Sequence, residues 1–148
     1  MISEVSEPRG PNDAWEEIKC ALVVSSSSLS PAEVTARLGV DPSIQRTKGA
    51  ARSGNPRLPV VTNQWIWQPD MTDGQSMDIQ LDAIWAALSP RASAFASLPP
   101  DTEVVLDIVI FHRGSHLRLG WALAARHIAA ASALGAAIGV DEYDYTRG

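Results

Sequence analysis

Thr102–Phe111, TEVVLDIVIF, is the stretch on which the fold reading rests. It is rich in β-branched and aliphatic residues and contains neither glycine nor proline, the pattern of an interior strand. Side chains alternate across a strand, so Val104, Leu106, Ile108 and Ile110 form one aliphatic face, and Val105, Asp107, Val109 and Phe111 form the other. The first face demands a cover of helices. The second is apolar except for Asp107 and calls for a loop, large aromatics or another chain. Taking this strand as the middle of the sheet, the rest of the chain supplies neighbours on either side.

Upstream, Ile18–Val24 alternates Ile18, Cys20, Leu22 and Val24 against Lys19, Ala21 and Val23, a second strand with one strongly apolar face. Ser30, Pro31 and Glu33 then spell a capping box with proline at the first helical position. Leu29 and Val34 stand at the staple positions, and Gly39 is the stop. Asp41–Asn63 shows no periodic element over 23 residues that include three prolines and two glycines, long for a connection inside a compact domain. It is also basic: Arg46, Lys48, Arg52 and Arg57 against Asp41 give a net +3, leaving −8 for the rest of the chain. Gln64–Gln68 reads as a short strand with Trp65 and Trp67 on one face and Ile66 on the other. Ser76 caps a helix with an inward stripe of Met77, Leu81, Ile84, Trp85 and Leu88, and Ser89-Pro90 opens a shorter helix carrying Phe95.

Downstream, Arg113-Gly114-Ser115 reads as a tight turn into a strand at His116–Leu119. Trp121–Leu134 is an alanine-rich helix with Ala124, Ile128, Ala131 and Leu134 as its stripe, stopped by Gly135. Ala136–Tyr145 returns as a strand. Hairpins mixed with helical crossovers predict an α+β fold, a mainly antiparallel sheet with two or three helices packed on one face. Residues 1–14, with two prolines and no apolar core, are expected to be a disordered tail ahead of a single domain over 15–148.

At 148 residues, 45% hydrophobic and with one cysteine, the chain builds its core without disulfides. No apolar run approaches the ~20 residues a membrane helix needs, which with the missing signal peptide predicts a cytoplasmic protein. A net charge of −5 speaks against general nucleic-acid binding, where phosphate neutralisation drives affinity. Cys20 reads as a small buried thiol. His112 and His116 read as a surface pair flanking a turn, not as a metal site, and no phosphate loop or zinc motif is present, so neither metal nor organic cofactor is expected. Asp141 and Glu142 are adjacent on a strand and therefore point to opposite faces.

The segments Leu29–Thr35, Leu38–Pro42, Lys48-Gly49, Trp65, Leu134–Ala136 and Asp141 with Tyr143 are, in their order and spacing, similar to the domain of unknown function 4279 family of small, mostly bacterial proteins. The resemblance spans roughly Ala21 to Tyr145 and implies no activity and no catalytic residues. From the residues themselves, the expectation is a non-catalytic binding or protein-interaction module. Its candidate site is Arg46, Lys48, Arg52 and Arg57 with Trp65 and Trp67, a composition suited to an acidic protein partner or an anionic small molecule. The competing reading makes Trp65 core and lets the arginines pair the chain's own acids. Asp107 joins the candidates because a carboxylate on an apolar face needs a partner, for which an arginine of the basic loop is suited. The alternative function is a small enzyme acting on an anionic metabolite. Two copies pairing over Val105, Val109 and Phe111 would bury the second face, and homodimer and monomer stand as equal expectations.

Overall fold

The computed structural model describes residues 15–52, 55–59, 61–70, 75–113 and 122–145, with the side chains of 51–52 and 55–59 outside that description. The expected tail over 1–14 and the strand at His116–Leu119 lie outside the described residues.

The order is β1 (Trp15–Ser26), α1 (Pro31–Leu38), β2 (Ile44–Arg46), β3 (Ala51–Arg52), β4 (Asn55–Pro59), β5 (Asn63–Trp67), α2 (Met77–Leu88), α3 (Ala92–Ala96), β6 (Thr102–Arg113), α4 (Ala125–Ala133) and β7 (Ala137–Asp144). A 3₁₀ turn, Ser89–Arg91, joins α2 to α3. Five strands form one sheet in the order β2-β5-β1-β6-β7, while β3 and β4 pair as a separate small ribbon. All neighbours in the large sheet are antiparallel except β6 and β7. The fold is therefore α+β with a mostly antiparallel sheet and its helices on one face, as the sequence predicts. β1, not β6, is the middle strand: both are long and apolar, and only the position of the short β5 beside β1 distinguishes them.

Helix α1 shows how local chemistry sets an element. The Ser30 hydroxyl accepts the Glu33 N–H at 3.1 Å, the Glu33 carboxylate accepts the Ser30 N–H at 3.2 Å, and Gly39 closes the helix at φ 70°. A left-handed residue there lets the Gly39 N–H reach the Thr35 carbonyl at 2.8 Å. Val104, Leu106, Ile108 and Ile110 are buried under the helices together with Cys20, Leu22 and Val24 of β1 and Trp65 of β5. Complete burial of side chains of this size stabilises the fold by roughly 1.5–3 kcal/mol each before the entropy of ordering them is charged.

Polar pins fasten the helices to this face. β1 runs on beyond the end of β5, and the freed backbone groups meet Gln80 of α2: its carbonyl oxygen accepts the Cys20 N–H at 2.9 Å and its amide nitrogen donates to the Ile18 carbonyl at 2.6 Å. Helix α4 is held to α2 by His127, which is fully buried. Its Nδ1 accepts the Trp85 indole N–H at 3.0 Å and its Nε2 donates to Asp78 at 2.8 Å, while Arg126 grips Asp82 through two hydrogen bonds. The inward stripe of α4 is consequently His127, Ala131 and Leu134, and Ile128, expected inside, is 51% exposed. In a run of alanines the apolar pattern barely distinguishes one helical face from the next, so the hydrogen bonds of His127 decide the rotation.

The Asp41–Asn63 stretch is also more ordered than its lack of periodicity suggests. β2, β3 and β4 all fall within it, and β2 adds the outer strand beside β5. Three-residue strands leave no pattern in a sequence; pairing with a neighbour makes them. No helix among the described residues is long and apolar enough to cross a membrane.

Candidate functional site

Among the described residues, the second face of the sheet carries no helix. Strand register puts Ile44, Ile66, Val23, Val105 and Ala137 in one row across all five strands, an apolar band from edge to edge. Charged and polar residues lie beside this band on both sides. On one side lie Arg46 and Gln64, joined by a hydrogen bond of 3.1 Å from the guanidinium to the amide oxygen. On the other lie Asp107, Lys19 and Val109, then Phe111. Together they line a shallow cavity of about 360 Å³ with an apolar floor and three charged side chains, Lys19, Arg46 and Asp107.

Electrostatics across this face are uneven. Asp107 has no ion-pair partner among the described residues. Its carboxyl is pushed above the usual aspartate range, first by burial and then by the neighbouring Asp141. The Cys20 thiol, on the covered face of the next strand, is raised to about 12 by burial and by Asp107, so at neutral pH it is a protonated, unreactive core residue. At the β7 end the face turns aromatic: Phe111 stacks on Tyr143 at 5.4 Å and Trp15 on Tyr145 at 5.7 Å between ring centroids.

The sequence-derived candidates separate onto different surfaces. Arg46 and Asp107 share the open face. Trp65 lies on the covered face, fully buried, its indole N–H donating to the Thr35 hydroxyl of α1 at 3.1 Å, which is a core position. Trp67, two residues on, packs against the same core. Lys48 is exposed beyond β2, where its backbone N–H is held by the Asn63 side chain at 2.8 Å. Arg52 and Arg57 lie in β3 and β4, and their side chains are outside the described residues. The expected arginine partner of Asp107 is not found among the described residues.

A model of the family described as domain of unknown function (DUF4279) matches residues 16–145, nearly the whole of the described fold. The chain belongs to this family. No curated protein and no solved structure matches it.

In this DUF4279 domain the two described histidines, His112 and His127, are structural in their geometry. His127 has both ring nitrogens engaged, one as acceptor and one as donor, which leaves it no lone pair for proton transfer. His112 is not a surface residue: it is buried on the covered face, its Nε2 2.7 Å from Glu142 of β7. No group of three His, Cys, Asp or Glu side chains among the described residues is placed to hold a metal ion. Lys19, Ile44 and Ile66 are among the lining residues that escape a reading of the sequence. Lys19 sits opposite the apolar side of β1, a visible signal once that strand's other face is known to be open. Ile44 and Ile66 belong to strands too short to announce which face they present.

Proposed function

We propose that this DUF4279 domain is a non-catalytic binding module that takes its ligand on the open face of the sheet. The observation that carries this is the apolar band from Ile44 to Ala137, bordered by Arg46 on one side and by Lys19 and Asp107 on the other, with no helix of the described residues laid over it. Aliphatic side chains, from the buried Ile66 to the exposed Ile44, hold an apolar group through area alone, and the guanidinium of Arg46, with Lys48 just beyond it, offers charge-assisted hydrogen bonds to a carboxylate or phosphate. An acidic partner segment or an anionic small molecule with an apolar body fits both demands. A cytoplasmic location belongs to the same reading.

One observation favours a second reading. A carboxyl with raised proton affinity, Asp107, faces the cavity beside Lys19, the environment in which acid–base chemistry is tuned. This makes a small enzyme acting on an anionic metabolite the alternative.

A library of acidic peptides and anionic metabolites, screened for binding by mass spectrometry, separates these readings. A ligand that binds unchanged, and whose binding is lost in Arg46→Glu/Lys48→Glu while the melting temperature stays put, supports the module. Conversion of any compound, abolished by Asp107→Asn, favours the enzyme. Binding indifferent to the charge reversal and to Val105→Lys on the floor would remove the open face as the site.

A further inference from the structure

The outer edge of β7 is a separate feature from the open face. β7 is paired only with β6, in an unbroken register from Val105↔Ala137 to His112↔Asp144, so along its other side a row of backbone donors and acceptors has no strand beside it among the described residues. Long regular edges recruit further strands, and proteins blunt them with charge, proline or bulges. Here the protection is one-sided. Asp141, Glu142 and Asp144 guard the second half, whereas Ala137, Ile138, Gly139 and Val140 carry no charge and no proline.

Exposed apolar side chains gather at the same edge. Ile138 and Val140 point to the helix side of the sheet, in register with Leu106 and Ile108, yet are 37% and 42% exposed. Ile128 of α4 adds to them. It lies about 100° round the helix from His127, on the flank turned away from the contacts of Arg126 and His127 with α2, and so toward the free edge. On the open side of the same strand Tyr143 is half exposed.

We propose that a second copy of this chain pairs antiparallel along β7, about a two-fold axis at Gly139, to make one continuous ten-stranded sheet. The register follows from symmetry and charge. A two-fold normal to the sheet keeps helix side on helix side, so each residue faces one of the same alternation. Centring on Gly139 sets Ile138 against the partner's Val140 twice over, two pairs of β-branched side chains on the helix side, flanked by both copies of Ile128. The same register puts Asp141 opposite Ala137 and Glu142 opposite Ala136. No carboxylate meets another, because all the acids lie on one side of the axis. Shifting the axis to Asp141 or Glu142 brings like charges face to face, and shifting it to Val140 sets Ile138 against Glu142. The pairing leaves the open face free and does not depend on the ligand reading above.

A thiol at the axis tests this directly. Gly139 has an ordinary backbone conformation, and a Cβ built there meets only Val105 Cγ1 at 3.5 Å, so Gly139→Cys is accommodated. Directly opposed residues in an antiparallel pair have Cα atoms about 4.5–5.5 Å apart, within disulfide range. The wild-type chain is expected to sediment as a dimer at tens of micromolar. Gly139→Cys should oxidise rapidly to a covalent dimer, whereas Val61→Cys, at a more exposed position away from the edge, should not. Val140→Glu, a substitution at an exposed position, should weaken dimerisation by at least about tenfold with the circular dichroism spectrum unchanged. A wild-type chain that stays monomeric overturns the proposal. So does a dimer that survives Val140→Glu and does not cross-link through Gly139→Cys, since its interface then lies elsewhere.

Discussion

Replacing Gln80 by Leu tests the claim that one side chain stands in for a missing strand. Leucine has nearly the volume and helix propensity of glutamine, so the exchange leaves α2 intact and removes the amide alone. Three hydrogen bonds go with it: the Cys20 N–H at 2.9 Å, and donation to the carbonyls of Ile18 at 2.6 Å and Gln75 at 3.0 Å. Cys20 is 3% exposed, so its N–H is left unpaired away from water at a cost of about 1–3 kcal/mol. The Ile18 carbonyl is only partly buried and regains water, so its loss is nearer the ~1 kcal/mol of an ordinary hydrogen bond. The apolar area gained by leucine returns roughly 1 kcal/mol, leaving a net destabilisation of about 1–3 kcal/mol. For a domain of this size that is a fall of several degrees in melting temperature. Urea denaturation gives the free energy, and native-state hydrogen exchange gives the location: the Cys20 amide should lose protection while that of Leu22, opposite Trp67 in β5, keeps it. A Gln80→Leu protein as stable as wild type, with the Cys20 amide still protected, would refute the reasoning.

Ile108→Ala should cost about 2–5 kcal/mol in the same denaturation experiment, because Ile108 is fully buried on the helix side of the sheet; a loss below about 1 kcal/mol contradicts that placement. Asp107→Asn should stabilise the protein at neutral pH. The folded state holds the Asp107 proton more tightly than the unfolded chain does, so the contribution favouring folding is present below the unfolded aspartate range and is lost as pH rises through the raised folded value. Asp107 is only partly buried and borders the shallow open cavity, so solvent screening keeps the gain within about 1 kcal/mol, and it should vanish in acid; a gain that persists at pH 3 points to another cause. Cys20, its thiol raised to about 12 and buried, should resist iodoacetamide at pH 8 in the native protein and react on denaturation; rapid native labelling would place it outside the core.

What the sequence discloses here depends on how far each signal reaches along the chain. The capping box of Ser30 and Glu33, the stop at Gly39 and the stripe of α2 are decided by residues within a few positions of one another, and each appears in the structure as read. The rotation of α4 depends on Trp85 and Asp78, some forty to fifty residues away from His127, and is invisible locally. The same holds for β2, which exists because β5 lies beside it, and for the choice of β1 over β6 as the middle strand. Within the site, Arg46 and Asp107 were legible as charges needing an explanation. That they share a face could be learned only from the register that carries Arg46 to Gln64 and Ala21 to Asp107.

The alternation of β5 reorganises the binding argument more than any single contact. Indoles next to arginines suggest an aromatic and cationic grip, and Trp65 and Trp67 do share a face. That face is the one the helices claim: Thr35 on α1 takes the Trp65 indole N–H, and the core closes around it. Period two then obliges Ile66 to the opposite side, where it meets Ile44 and Val23 in the apolar row. The basic stretch is thereby detached from the tryptophans and joined to an aliphatic floor. On the binding reading proposed above, such a floor would hold a ligand by area and shape and not by stacking, and selectivity would rest on the charges at its margins, Arg46 on one side and Lys19 with Asp107 on the other. The ligand proposed for this face would have an apolar middle and an anionic end. Charge reversal at Arg46 should therefore change which ligands bind, whereas a polar substitution at Val105 should weaken binding of them all.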